Sequence, residues 1–248
     1  MKMHIIASGS KGNASIVYDD STCILIDCGI SKKRLVEGLK EVKKALNDID
    51  FVLFTHNHID HILGESYFSL DKKYARKGTI NLLQNHELIF NHIYTFKDFQ
   101  VELLETSHDA IAPCGFLFKN KNESLVYITD SGFIPESTFK LIKDKTYYFI
   151  ESNHDYDMLI NSNRPLILKK RILSDYGHLS NYQSATYMSL LIGSDTKEII
   201  LAHLSEECNT PNEALNTYYS IFKNEGIATS CIKIICAKQH ESVDLWLR

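Results

Sequence analysis

Apolar residues along the chain occur in short runs bounded by turn residues, which is the pattern of β-strands. Such runs predict strands at 3–7, 14–18, 23–27, 51–55, 79–83, 99–105, 115–119, 124–129, 146–150, 198–202 and 232–237. Segments with helical spacing of apolar residues predict helices at 31–46, 61–77, 85–93, 135–143, 180–192 and 211–224. Strands followed by helices, repeated in two halves, indicate two sheets with helices outside.

The composition is that of a globular protein with a sizeable core. The chain has 248 residues, of which 44% are hydrophobic and 23% are charged. Only four prolines occur, and no stretch rich in Pro, Gly or Ser separates one part of the chain from another. We therefore expect one α/β domain spanning residues 1–248.

Charge and cysteine content narrow the class of protein. The formal net charge of −4 differs from that of a strongly basic nucleic-acid-binding chain, although local patches matter more than the sum. The six cysteines form no CxxC pair, and no apolar run is long enough for a signal peptide or a membrane span. These features favour a cytoplasmic protein with no membrane partner.

The strongest chemical signal is the segment THNHIDH at residues 55–61, directly after a predicted buried strand. His56 and His58 are two residues apart, so in an extended loop they share a face and can clasp one ion. Asp60 and His61 follow and can turn toward a second ion. Imidazole and carboxylate groups are ligands for zinc, manganese or iron. The segment therefore predicts a metal centre at the end of a strand.

Three further residues of ligand type follow later strand-like runs, namely His108, Asp130 and His203. With them the sequence resembles the metallo-β-lactamase superfamily. The resemblance implies a four-layer αβ/βα sandwich, with two mixed β-sheets flanked by helices. It also implies two divalent metal ions. One is held by His56, His58 and His108, the other by Asp60, His61 and His203, and Asp130 bridges both.

A second constellation concerns proton transfer. Glu151 opens the segment ESNHD after a strand, and His178 lies in GHLSN just before a predicted helix. In the RNase Z-like nucleases of the superfamily, a glutamate and the histidine of a similar segment form a proton-transfer pair. The resemblance assigns those roles to Glu151 and His178. It also matches Asp27, in LIDCG, to an aspartate that supports the site.

Segments spread over residues 8–211 narrow the resemblance to the YycJ/WalJ-type proteins of bacteria. They are SGSKGNAS, THNHIDH, ESNHD, KKRIL before GHLSN, and AHLSEECNTP. This family is associated with metal-dependent 5′-to-3′ DNA exonuclease activity. The related β-CASP nucleases carry a large inserted domain, for which the interval from Asp130 to His203 is too short.

We therefore expect a metal-dependent phosphodiesterase of the nuclease type, in particular a 5′-to-3′ DNA exonuclease that uses a hydroxide activated by two metals. Asp60 would orient this nucleophile, and Glu151 with His178 would protonate the leaving oxygen. The alternatives are a phosphodiesterase for small substrates such as cyclic phosphates, a lactone or thioester hydrolase, and a mono-iron oxygenase of the same fold. The sequence does not choose among zinc, manganese and iron.

Overall fold

The computed structural model of the protein describes residues 1–245, in which short apolar runs form strands and most of the longer segments between them form helices. The strands are Lys2–Ala7 (β1), Ala14–Tyr18 (β2), Cys23–Ile26 (β3), Phe51–Phe54 (β4), Lys73–Ala75 (β5), Ile93–Phe96 (β6), Phe99–Glu105 (β7), Cys114–Lys119 (β8), Ser124–Ile128 (β9), Tyr147–Glu151 (β10), Glu198–Ala202 (β11), Lys233–Cys236 (β12) and Val243–Leu245 (β13). The α-helices are Lys32–Glu41 (α1), Ile59–Ile62 (α2), Glu136–Ile142 (α3), Tyr156–Asn161 (α4), Leu166–Ile172 (α5), Asn181–Leu191 (α6) and Pro211–Asn224 (α7).

The strands form two mixed sheets. The first has the order β13-β1-β2-β3-β4-β5, antiparallel up to β3 and parallel from β3 to β5. The second has the order β12-β11-β10-β9-β8-β7-β6, parallel from β12 to β9 and antiparallel beyond. In both sheets the parallel part joins strands connected through helical segments, as parallel pairing requires.

Strand residues alternate between a core shared by the two sheets and a core shared with helices. In β10, Tyr147 and Phe149 belong to the cluster between the sheets, which also contains residues of β1, β3 and β4. Tyr148 and Ile150 face the other way and pack with residues of α3, α6 and α7. The outer face of the first sheet packs against α1 in the same manner. This is the predicted four-layer sandwich of two mixed sheets flanked by helices.

The helix predicted at 61–77 is wrong. Only α2 is helical there, followed by two short 3₁₀ turns and by β5. The N–H of Cys28 donates to the carbonyl of His61 at 2.7 Å, and the N–H of Gly64 donates to the carbonyl of Cys28 at 2.7 Å. Because these bonds tie the end of α2 to the loop after β3, the helix cannot propagate.

The strand predicted at 79–83 and the helix predicted at 85–93 are also wrong. The segment is irregular, with one 3₁₀ turn at Gln84–His86. The N–H of Leu88 donates to the carbonyl of Ala75 at 2.8 Å, so the chain runs along the edge of the first sheet instead of coiling. Packing against that sheet outweighs a weak local helical preference.

Other boundaries differ less. Helix α1 ends at Glu41, five residues before the predicted end, and is closed by a hydrogen bond from the N–H of Val42 to the carbonyl of Leu39. Strands β5, β6 and β13 and helices α4 and α5 were not predicted, since each is only three to seven residues long.

None of the helices within residues 1–245 has both the length and the apolar character needed to cross a membrane. The assignment of residues 1–248 to one domain stays a prediction.

Candidate active site

The predicted site residues lie at one edge of the sandwich, where several strands of both sheets end. Strand β4 ends just before the 55–61 loop of the first sheet. In the second sheet β7, β9 and β11 end just before His108, Asp130 and His203, and Glu151 is the last residue of β10. These strands run in the same direction, so their carboxyl ends meet at one edge, where side chains from loops can converge.

The loop after β4 positions four of the candidate ligands. His56 lies two residues after the end of the strand, and His58 is the N-cap residue of the short helix α2, which carries Asp60 and His61. His61 is buried, whereas the side chains of Asp60 and His58 are 22% and 29% exposed. The backbone of α2 packs directly against Gly29. A Cβ at that position would lie 1.5 Å from the carbonyl oxygen of Asp60, so this close approach requires glycine.

A buried carboxylate behind this loop sets the orientation of His61. Asp27 Oδ2 lies 2.8 Å from His61 Nδ1 and accepts a hydrogen bond from the Thr55 hydroxyl at 2.9 Å. Its other oxygen accepts from the N–H of Thr55 at 2.8 Å. With Nδ1 held, Nε2 of His61 points to Asp130 Oδ2 at 3.2 Å and to Asp60 Oδ2 at 3.6 Å. Carboxylates in this position commonly orient metal-ligating imidazoles.

Two groups of donors match the two sets implied by the superfamily resemblance. Within each group the donor atoms lie no more than 4.8 Å apart. The first is His56, His58 and His108, and the second is Asp60, His61 and His203. The ring of His108 is oriented by the carbonyl of Gly177, 3.0 Å from its Nδ1, so that Nε2 lies 3.2 Å from Nδ1 of His58.

Asp130 lies between the two groups. Its Oδ2 is 3.2 Å from His61 Nε2, and its Oδ1 is 3.1 Å from His203 Nδ1 and 3.8 Å from His108 Nε2. It also belongs to a third donor group, with His56 and His61. The carboxylate of Asp130 therefore faces donors of both groups.

The donor atoms themselves test whether a metal fits. Among residues 1–245, His56 Nε2 and His203 Nε2 are buried ring nitrogens without a hydrogen-bond partner. A buried polar atom without a partner costs free energy, and such atoms call for an explanation. Imidazole nitrogens and carboxylate oxygens gathered at this spacing suit a divalent cation. The residues present therefore fit divalent metal binding.

Burial and neighbouring charges shift the protonation of this cluster in opposite directions. Burial, reinforced by the neighbouring His61, holds the pKa of His56 well below its ordinary value. Burial also disfavours a charge on His61, but the Asp27 and Asp130 carboxylates outweigh it and hold its pKa well above the ordinary value. The pKa of His203 rises to about 9, because Asp130 and Glu151 outweigh its burial. His61 and His203 therefore favour the protonated form whereas His56 favours the neutral form, and a cation bound by His61 and His203 would displace their protons.

Glu151 and His178 form a close pair beside the donor groups. Glu151 Oε1 lies 2.7 Å from His178 Nδ1, and Oε2 accepts hydrogen bonds from the backbone N–H groups of Ser131 at 2.8 Å and Leu179 at 3.1 Å. Burial alone would raise the pKa of Glu151, but His178 and His203 outweigh it and lower that pKa to about 2. An ionised Glu151 therefore fixes the His178 ring through Nδ1 and leaves Nε2 for another partner.

The backbone around His178 is fixed by the helix that follows. Ser180, not His178, is the N-cap of α6, and it forms a capping box with Gln183. The side chain of His178 is 13% exposed, and it lines a cavity of about 310 Å³ together with Asp60, Asp130 and His203. His178 is therefore accessible from the candidate metal centre.

Glu151 also contacts His203, which the superfamily resemblance assigns to the metal centre. Its Oε1 lies 3.0 Å from His203 Nδ1, so one carboxylate oxygen faces two imidazoles. The resemblance gave Glu151 only the partner His178. No spacing in the sequence indicates the second contact, because it depends on how β10 and β11 pair.

Sequence reasoning also missed two polar neighbours of the centre, Asn13 and Asp109. Asn13 Nδ2 lies 3.0 Å from His61 Nε2. Asp109 Oδ1 lies 3.5 Å from His108 Nε2, and Asp109 in turn forms a two-point ion pair with Arg171. The available signals were the SGSKGN segment and the adjacency of Asp109 to His108, and neither is specific alone.

Three of the site residues have left-handed backbone conformations. The φ angles of Asp27, Asp130 and His203 are 56°, 48° and 54°. Non-glycine residues seldom adopt such angles, which cost free energy and collect at functional sites. Asp27 and His203 directly follow a strand and Asp130 follows one after a single residue, so the sharp change of backbone direction comes at the strand end and turns each side chain into the site.

Comparisons with known proteins agree with this geometry. A family model described as a beta-lactamase superfamily domain matches residues 22–203. The chain is 35% identical over 224 residues to exodeoxyribonuclease WalJ of Streptococcus pneumoniae serotype 2 (strain D39 / NCTC 7466), covering 84% of this chain and 83% of that protein. It is 34% identical over 235 residues to exodeoxyribonuclease YycJ of Bacillus anthracis, covering 90% and 89%.

A solved structure shows the same fold at low sequence identity. The metallo-β-lactamase fold protein YhfI from Bacillus subtilis aligns with a TM-score of 0.70 and 15% identity, covering 99% of this chain and 100% of that one. The matched family model spans most of the chain, and the two relatives match over 83% and 89% of their own length. With its two-sheet sandwich and the donor groups at the sheet edge, the chain belongs to the beta-lactamase superfamily.

Proposed function

We propose that the protein is a metal-dependent phosphodiesterase of the nuclease type and, in particular, a 5′-to-3′ DNA exonuclease. The Glu151–His178 contact of 2.7 Å, beside the donor groups, carries the proposal. A phosphodiester has a poor leaving group that needs a proton, whereas a lactone or thioester needs such a pair less. The similarity to WalJ and YycJ, both named exodeoxyribonucleases, supports DNA as the substrate.

We assign the donor groups to two divalent cations, which would be zinc, manganese or iron. His56, His58 and His108 would hold one, Asp60, His61 and His203 the other, and Asp130 would lie between them. When bound, such cations polarise phosphoryl oxygens and lower the pKa of bound water.

The residues of the chain itself have separable roles in this scheme. Glu151 holds His178 through Nδ1, so that Nε2 can give a proton to the leaving oxygen as its bond to phosphorus breaks. Asp60, partly exposed at the rim of the cavity, accepts a hydrogen bond from the attacking water and orients it. Asp27 keeps His61 aimed at the centre.

The shape around the centre favours a polymeric substrate over a small one. The cavity over the candidate metal centre shares Ser10, Arg171 and His178 with a second cavity of about 500 Å³. A substrate that extends beyond a single phosphodiester has room in the second cavity. A small cyclic phosphate would leave it empty.

The test is cleavage by the purified protein with Mn²⁺, Zn²⁺ or Fe²⁺. The substrates are 5′-labelled and 3′-labelled duplex DNA, single-stranded DNA, RNA and bis-p-nitrophenyl phosphate. We expect metal-dependent release of nucleotides from the 5′ end of DNA, and loss of activity with EDTA. Cleavage of bis-p-nitrophenyl phosphate without cleavage of any nucleic acid would overturn the nuclease assignment in favour of a small-substrate phosphodiesterase.

A further inference from the structure

The second cavity beside the candidate metal centre contains two arginines that the proposed reaction does not use. Arg171, on α5, lies between the two cavities and lines both. Arg164, just before α5, lines only the second. We name this second cavity the two-arginine cavity; its other lining residues include Ser10, Asn153, Asn163 and His178.

Each arginine is held in place by one carboxylate and keeps other N–H groups of its guanidinium available. Arg171 Nη2 donates to Asp109 Oδ1 at 2.7 Å, and Nε donates to the other oxygen of the same carboxylate. Arg164 Nε donates to Glu207 Oε2 at 2.8 Å, and its Nη2 donates to Ser205 Oγ at 3.4 Å. A guanidinium has five N–H donors, so each of these arginines can bind a further anion without leaving its partner.

The carboxylates leave room for an anionic ligand. The side chain of Glu207 is 68% exposed, and an ion pair with an exposed carboxylate adds little stability. Arg164 can therefore exchange it for a ligand at small cost. Arg171 is 45% exposed, while its partner Asp109 lies beside His108 and fixes the guanidinium at the boundary between the cavities.

We propose that the two-arginine cavity is a subsite for a second phosphate group of the substrate, adjacent to the phosphodiester that is cleaved. The proposal rests on the proposed function, since it places the cleaved phosphodiester in the neighbouring cavity. The planar guanidinium fork matches phosphate oxygens in a two-point contact. The second phosphate is either a terminal 5′-phosphate or the next internal phosphodiester of the same strand.

Binding measured without metal tests the subsite independently of catalysis. Fluorescence anisotropy in EDTA would compare wild type with Arg164→Ala/Arg171→Ala, using a labelled duplex that carries either a 5′-phosphate or a 5′-hydroxyl. We expect affinity to fall by about 10-fold or more, and the slope of log K against log salt to become shallower by about 1 to 2. Arg171→Lys, which keeps the charge but loses the fork, should lie between the two.

The two oligonucleotides distinguish the sources of the phosphate. If the subsite holds the terminal group, wild type prefers the 5′-phosphorylated duplex and the double variant loses that preference. If it holds an internal phosphodiester, the affinity of the double variant falls by the same factor for both duplexes. Either result supports the subsite.

A charge-matched control is Lys40→Ala/Lys223→Ala, which removes two exposed positive charges from α1 and α7. A double-arginine variant that binds like wild type, or weakens no more than this control, would overturn the subsite. DNA cleavage by wild type together with unchanged binding by the arginine variant would remove the subsite but leave the proposed function. Absence of DNA cleavage by wild type would remove the proposed function, while the binding comparison still decides whether the cavity recognises phosphate.

Discussion

The two sheets build their halves of the candidate site in different ways. The first sheet contributes four donors from one seven-residue loop after β4, residues 55–61. The second contributes residues from four strand ends and from the loop before α6, spread from His108 to His203. One half is therefore local in sequence, whereas the other exists only after the sheet has formed.

Each half also contains a buried carboxylate that is not assigned as a metal ligand but contacts imidazoles, and the partners of these carboxylates differ. In the first half, Asp27 contacts the imidazole of His61, a candidate ligand, and the backbone N–H and hydroxyl of Thr55. Glu151 of the second half faces His203, a candidate ligand, and His178, the proposed proton donor. In the proposed scheme the first half would therefore bind metal and, through Asp60, orient the attacking water, whereas the second half would combine metal binding with proton transfer.

The largest effect should follow from a change in the first half. Asp60→Ala removes a donor of one metal group and the carboxylate that orients the nucleophile, so we expect cleavage of both DNA and bis-p-nitrophenyl phosphate to be abolished. Steady-state kinetics and metal content by mass spectrometry would measure this. The exposed Asp20→Ala is the matched control and should behave as wild type. Full metal content with activity retained on either substrate would contradict the assigned role.

A change at the proton donor should separate the two substrates. His178→Ala should leave metal content intact and lower DNA cleavage by about 10²–10⁴-fold, the usual worth of a positioned general acid. Nitrophenolate leaves without a proton, so cleavage of bis-p-nitrophenyl phosphate should fall far less. The decisive quantity is the ratio of the two losses. Equal losses would show that His178 binds phosphate or supports the structure instead.

Glu151→Gln should lower DNA cleavage less than His178→Ala does, and should lower cleavage of bis-p-nitrophenyl phosphate more. We expect about 10- to 100-fold lower activity on DNA, the usual range for a residue that orients metal ligands and their neighbours. Because His203 also loses one of the two carboxylates beside its Nδ1, cleavage of bis-p-nitrophenyl phosphate should fall more than it does in His178→Ala. Metal affinity by competition with a chelating dye would show the same loosening. An unchanged metal affinity would mean that Glu151 acts through His178 alone.

The smallest effect should follow from a change at Thr55, which supports Asp27 in the first half. Thr55→Val removes the hydroxyl that donates to Asp27, while the Thr55 N–H and His61 still contact that carboxylate. We expect the free energy of unfolding to fall by about 2 kcal/mol, and activity on both substrates to fall equally, by about 10-fold or less. Chemical denaturation and kinetics would measure both. A loss confined to DNA would break the comparison between the two halves.

The contrast between the halves also explains how much could be predicted from the sequence. The candidate ligands of the 55–61 loop can be predicted from the sequence, because a strand followed by alternating ligand-type residues is a local pattern. His108, Asp130 and His203 have no such spacing, so their roles came from the superfamily resemblance. Their convergence depends on the pairing of β7 to β11, which no short window of sequence contains.

The wrong secondary-structure predictions have the same cause, which is contacts between residues distant in sequence. The segment 61–77 has apolar residues that suit a helix, yet hydrogen bonds from the loop after β3 end α2 at Ile62. The second contact of Glu151 and the ion pair of Asp109 with Arg171 likewise join residues more than 50 positions apart. Local propensity cannot report such contacts, whereas long strands and well-capped helices such as α6 and α7 were predicted within one or two residues.

The left-handed backbone at Asp27, Asp130 and His203 limits which sequences can fill these positions during evolution or design. Aspartate, asparagine and histidine are the side-chain-bearing residues that tolerate this conformation best. Glutamate at 130 would keep the charge, and cysteine at 203 would keep a metal ligand, but both would pay a backbone penalty that the present residues largely avoid. Each position is therefore constrained both by the chemistry of its side chain and by its φ angle, so substitutions that look conservative by chemistry alone are not conservative here.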